Sequence, residues 1–234
     1  MAAVKILALD TATDACSVAL LTGDTIVARY DEPQRGHAEL ILPMVDAVLA
    51  EAGIELRALD CLAVGRGPGT FTGVRIAVSV AQGLAFGVER PIVPVSDLAA
   101  LAQRAAQTHG AKRVLACLDA RLGEVYWAAF DTSEDGLVMA MAEERVGPPG
   151  SVTVPAGQDW FGVGSGWAAY DLAAQLAPKG VVMAGSDGTL LPRAQEIALL
   201  GARDFRAGRA VPPEQALPVY VRDSVAVTSR KSQT

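Results

Sequence analysis

Two stretches of this chain share one syntax. From Ile6, ILALDTATDACSVALLTGDTIVA reads as an apolar strand ending in Asp10, a turn of small hydroxyl residues, a strand over 17–21, a Gly23-Asp24 hairpin turn and a strand over 25–30. From Val114, VLACLDARLGEVYWAAFDTSEDGLVMA repeats the order: a strand over 113–118 ending in Asp119, the turn ARLG, a strand over 124–130, the turn SEDG and a return strand over 137–142. The shared letters amount to Leu-Asp before a turn, yet a helical segment follows each copy. The pattern predicts a duplicated α/β fold with a first lobe over 1–100. The second lobe spans 101–234 and takes in a helix at 193–208 and an extended tail with a disordered end. Two copies do not make a fixed-period array.

Between the copies lies CLAVGRGPGTFTGVRIAVSVAQGLAFG, residues 61–87. A short apolar run reads as a buried strand, then come Gly65, Gly67, Pro68, Gly69 and Gly73, then apolar residues at helical spacing. Strand, glycine loop and helix N-terminus can receive an anion. The phosphate-loop motif fails, because Gly73 is followed by Val74 and Arg75 rather than Lys and Ser/Thr; the dinucleotide fingerprint fails, because Thr70 stands where the third glycine belongs. A plain strand-to-helix turn is the competing reading. The helix carries two apolar stripes, Val74, Ala77, Val78, Ala81, Leu84 and Ala85 on one side and Ile76, Val80, Gly83 and Gly87 beside it. Such a helix needs two covers, a sheet and something else.

The rest is coarser. Residues 35–53 read as a helix with Leu40, Ile41, Met44, Val45, Val48, Leu49 and Ala52 on one face, Pro43 inside and Gly53 stopping it. A strand is expected over 58–64 and another over 92–95, then a helix over 97–108 capped by Ser96. Residues 146–157 read as a loop or short edge strands, and DWFGVGSGW as a glycine-rich turn leading into a helix over 168–176. A short strand follows over 181–184.

Composition narrows the function. The chain has 234 residues and a net charge of -6, an acidic balance that argues against this chain alone gripping nucleic acid. No apolar run is long enough for a membrane span, and the N-terminal run is too short for a signal peptide. Cys16, Cys61 and Cys117 are odd in number and widely spaced, which predicts reduced thiols and a cytoplasmic protein. Asp10 and Thr11, with Gly67 and Gly69 and with Asp119 in the second copy, are the phosphate-type candidates, against a turn-capping role for the aspartates. The two histidines, His37 and His109, make no metal pair and no Ser-His-Asp set, and no nucleophile elbow surrounds Ser165.

LALDTAT, GHAELILP, VGRGPGTFTGVRIAVSVAQGLA, LDARLGEVYWA and PVYVRD together resemble the TsaB (YeaZ) family of bacterial tRNA threonylcarbamoyladenosine biosynthesis, across almost the whole chain. The resemblance implies the actin-like, sugar-kinase and Hsp70-type fold of two ribonuclease-H-like lobes. It also implies a non-catalytic subunit that pairs with the catalytic paralogue TsaD and lets the ATPase TsaE join. That complex forms N6-threonylcarbamoyladenosine at position 37 of ANN-decoding tRNAs. TsaD carries two metal-binding histidines four apart; aligned by eye, Asp97 and Leu101 stand there, so no metal and no cofactor is expected in this chain. ATP or ADP would lodge at the interface within the complex, and tRNA would be reached only through the complex. The implied partner face uses the helices at 37–53 and 72–87, with Leu42, Val45, Leu49, Val74, Val78, Ala81 and Gln82 near its centre, and the lone chain would self-pair as a homodimer. The competing readings are a nucleotide-binding module, a phosphotransferase with Asp10 and Asp119 around the phosphates, and a protease acting on the paralogue.

Overall fold

The computed structural model describes residues 3–33 and 36–222. β1 (Lys5–Asp10), β2 (Cys16–Thr22), β3 (Thr25–Asp31), β4 (Cys61–Gly65) and β5 (Ile92–Val95) form one sheet in the order β3-β2-β1-β4-β5. β6 (Arg113–Arg121), β7 (Glu124–Thr132), β8 (Val138–Ala140), β10 (Gly157–Val163) and β11 (Val181–Asp187) form the other in the order β11-β10-β6-β7-β8, with β9 (Arg145–Gly147) also on β7. The second sheet repeats the first strand for strand. β1–β2 and β2–β3 are antiparallel and β1–β4 and β4–β5 parallel; β6–β7 and β7–β8 are antiparallel and β6–β10 and β10–β11 parallel. The duplication read from the two meanders holds through the whole sheet.

Alternation along β1 places each side chain. Ile6 and Ala8 enter the core between the sheets, while Leu7 and Leu9 enter the core on the opposite face. Over that outer face lie α1 (His37–Ala52) and α2 (Phe71–Gly87). α3 (Asp97–His109) and α6 (Ala194–Arg206) pack together between the sheets. α4 (Ser165–Ala169) and α5 (Leu172–Leu176) cover the outer face of the second sheet over Trp160 and Leu115. Local chemistry sets the ends: Gly53 closes α1 at φ 63°, the Thr70 hydroxyl accepts from the Gly73 amide, and that of Ser96 from the Ala99 amide.

Three expectations need correcting. Residues 159–163 form the central strand β10 rather than a turn, because Trp160 and Val163 fill the core while Gly162 lets the Trp167 indole lie against the backbone. The helix expected over 168–176 is two short ones, separated at Tyr170 and Asp171, whose side chain caps α5. The helix expected at 193–208 within the second lobe packs instead on β1, β2, β4 and β5 of the first sheet, while α3, which starts at Asp97, packs on β6 and β7. Residues 209–216 stay with the first lobe, through the Ile92–Val211 bridge. Arg35, the expected start of the first helix, and the tail beyond 222 lie outside the described residues. Among the described residues no helix is long and apolar enough to cross a membrane.

Candidate functional site

The duplicated turns face each other across a cavity of about 950 Å3. The first lobe supplies Ala12, Thr13 and Asp14 after β1, with Pro68, Gly69 and Thr70 of the glycine loop and Phe71 and Arg75 of α2. The second supplies Leu118 to Arg121, Tyr126 and Ser165, and residues 219–222 close one side. Among the described residues, three arginines line it. Arg121 lies 3.6 Å from Asp119, Arg222 pairs with Glu124, and the Arg75 guanidinium rests 3.3 Å from the Phe71 ring centre.

Asp10 and Thr11 do not reach this cavity; both are fully buried beneath the glycine loop. Asp10 Oδ1 accepts from the Ala12 amide at 2.8 Å, and Thr11 Oγ1 donates to the Gly73 carbonyl at 2.6 Å. Asp97, at the first turn of α3, accepts on Oδ2 from the Gly67 amide at 2.5 Å. A Cβ on Gly65 would sit 2.5 Å from Asp97 Oδ1 and 2.7 Å from Asp10 Oδ1, so only glycine admits both carboxyls. Burial, then the neighbouring Asp10 charge, holds the Asp97 carboxyl well above the usual range, and burial lifts Asp10 to about 6. This pairing was not legible in the sequence, where Asp97 stood out only as a replaced histidine. Leu101 is buried in the central core.

The glycine loop is likewise turned inward. The Arg66 amide donates to Val95 O at 2.8 Å, the Gly67 amide to Asp97, the Thr70 amide to Ala12 O at 2.7 Å and the Gly73 amide to Thr70 Oγ1 at 3.2 Å. Gly69 packs directly on the Ala12 backbone, and Gly67, at φ 99°, lies under Val219. A cradle for phosphate needs free amides, and these four are committed to the protein. Of the phosphate-type candidates only Gly69 and Asp119 line the cavity. Asp119 Oδ1 accepts from the Arg121 amide and the Tyr170 hydroxyl, while its own amide donates to Ser165 Oγ. Asp10 and Asp119 therefore do not converge on one ligand. His37 bonds Thr13 O and His109 bonds Asp187, so neither meets Ser165.

The expected partner face divides. Val45, Val74, Val78 and Ala81 are buried in this chain's own core over the first sheet. Gln82 is tied down, donating to Pro213 O at 3.0 Å and Ala216 O at 3.1 Å. These five cannot form the centre of an exposed surface. Leu49 is half-buried and Leu42 is 47% exposed. The open side of α2 is its second stripe: Phe71 at 61% and Phe86 at 75% exposed flank the partly covered Ile76 and Val80. Gly83 and Gly87 have nothing within 4 Å of a Cβ position. Both stripes are apolar in sequence, so only the packing of α2 on β4 decides which one is free.

Two copies of one mixed sheet, joined through a central helix pair around a cleft, define a two-lobed actin-type protein. The family model of TsaD, tRNA N6-adenosine threonylcarbamoyltransferase, matches residues 31–228. The tRNA threonylcarbamoyladenosine biosynthesis protein TsaB of Escherichia coli K12 is 44% identical over 226 residues, 95% of this chain and 96% of that relative. The TsaB of Haemophilus influenzae is 39% identical over 228 residues, 94% of each. The solved structure of YeaZ from Pseudomonas aeruginosa is 45% identical with a TM-score of 0.83, covering 93% of this chain and 99% of that one. The chain belongs to the TsaB (YeaZ) family of tRNA threonylcarbamoyladenosine biosynthesis proteins.

Proposed function

We propose that this chain is a non-catalytic scaffold subunit: it docks the catalytic paralogue TsaD through α1 and α2 and makes a platform that TsaE joins, in the cytoplasm. The observation that carries this reading is the open stripe of α2, with Phe86 75% exposed and two glycines free for close approach. An exposed apolar stripe of this length calls for a protein cover. The sealed aspartates and committed loop amides support the absence of catalysis here. The partner face is accordingly redrawn on Leu42, Ile76, Val80, Gly83 and Phe86, with a second copy covering it when TsaD is absent. ATP or ADP is assigned to the junction with the partner, and tRNA to the assembled complex. The test is tRNA modification by purified TsaD, TsaE and the enzyme that makes the threonylcarbamoyl adenylate, with and without this chain. Modification that is unaffected by leaving it out refutes the scaffold role; turnover of ATP by the isolated chain refutes its non-catalytic status.

The cleft favours a second reading, a nucleotide-binding module without turnover, since its Phe71–Arg75–Tyr220 wall stacks rings and a guanidinium. Calorimetric titration of ATP into the lone chain separates the two, heat of binding supporting the module.

A further inference from the structure

We propose that Asp10 and Asp97 form a buried proton-binding site, in which one proton shared between the two carboxyls ties the end of β1 to the start of α3 across Gly65. The two side chains are completely enclosed, and both face the same glycine Cα. Among the described residues, Asp10 Oδ2 and Asp97 Oδ1 have no donor. Each carboxyl's other oxygen is already fed by an amide, Ala12 for Asp10 and Gly67 for Asp97. Two carboxylates have no hydrogen to offer one another, so the pair is satisfied only when one of them is an acid and donates. Among the described residues no group of three potential metal ligands exists to take the proton's place.

The surroundings favour one proton over none. His37 of α1 draws Asp10 toward its charged form, but only weakly against burial. Arg66 does the same for Asp97, yet its guanidinium is engaged by both oxygens of Glu144, at 3.0 and 3.1 Å. On β2, Cys16 keeps its thiol, pushed up to about 11 by burial and by Asp10. From α6, Glu196 is held by Arg193, and the Ala194 amide donates to Ser17 Oγ at 2.9 Å. Among the described residues no cation reaches the pair directly, and both carboxyls are shifted upward, Asp10 to about 6.

The site lies where the lobes join. β1 leads into the cavity turn, Gly67 carries the loop under Val219, and α3 runs on into the second sheet. Loss of the proton puts two adjacent carboxylates in one dry pocket. The folded pair keeps a proton that the unfolded chain releases near 3.8. Its contribution to stability is therefore complete below about 3.8, falls as pH rises above that, and is gone once the folded pair has itself lost the proton.

Asp97→Asn tests this. The amide donates permanently to Asp10 while its carbonyl still accepts from Gly67. Urea unfolding followed by tryptophan fluorescence should show the variant's folding constant gaining on wild type by about tenfold per pH unit from about pH 4, where the unfolded chain's aspartates ionise, until the folded pair itself gives up its proton, and levelling off above that, the signature of one proton. A ratio independent of pH overturns the proposal. Should the variant not fold, 13C NMR of aspartate carboxyls in the wild-type chain decides. One carboxyl still protonated at neutral pH supports the site; every carboxyl titrating near its ordinary value, about 4, overturns it.

Discussion

Val78 and Val80 are two residues apart on α2 and should respond to the same substitution in opposite ways. Val78 is 3% exposed and packed over the first sheet. Val78→Glu removes about 2 kcal/mol of apolar burial and adds the cost of a buried carboxylate without a partner, about 4 kcal/mol or more. That sum rivals the about 5–15 kcal/mol that holds a typical domain folded, so the variant should be largely unfolded and invisible to partners for that reason alone. Val80 lies on the open stripe beside Gly83. Val80 is partly covered at the edge of the same core, so Val80→Glu should cost the free chain about 1 kcal/mol and leave it folded, because the carboxylate can reach water. In a docked interface the same carboxylate is desolvated, and a loss of about 4 kcal/mol means about a thousandfold weaker association. Circular dichroism melts of both variants and calorimetric titration against TsaD measure the two effects. A Val78→Glu chain that melts like wild type, or a Val80→Glu chain that binds TsaD unchanged, refutes the assignment of the two stripes.

Two further outcomes follow from the same packing. Gly65→Ala places a Cβ 2.5 Å from Asp97 Oδ1; overpacking of that kind costs about 3 kcal/mol, a fall in Tm of about 6–12 °C, and an unchanged melt would show that the carboxyls have room to part. The three thiols are buried, with Cys16 raised to about 11, Cys61 to about 12 and Cys117 higher still, burial being the main cause each time; a thiol reagent at mildly alkaline pH should label none in the native protein and all three after denaturation, and rapid native labelling of any one would contradict its burial.

The amino-acid pattern alone determined the duplication, the two meanders, the glycine turn ahead of α2 and the caps at Gly53 and Ser96. These follow from contacts within a few residues: period-two alternation, hairpin turns and hydroxyls reaching amides three positions on. The family, too, was legible in short motifs. Tertiary structure alone decided three things. It made β10 a central strand, because Trp160 and Trp167 supply from the fold what the local glycines withhold. It turned the Val78 side of α2 inward and left the Val80 side open, a choice between two equally apolar stripes that depends on what lies beneath. And it brought Asp97 onto Asp10, converting a candidate ligand site into a sealed carboxyl pair. Which surfaces meet is settled by burial summed over the whole chain, and burial has no local spelling in sequence.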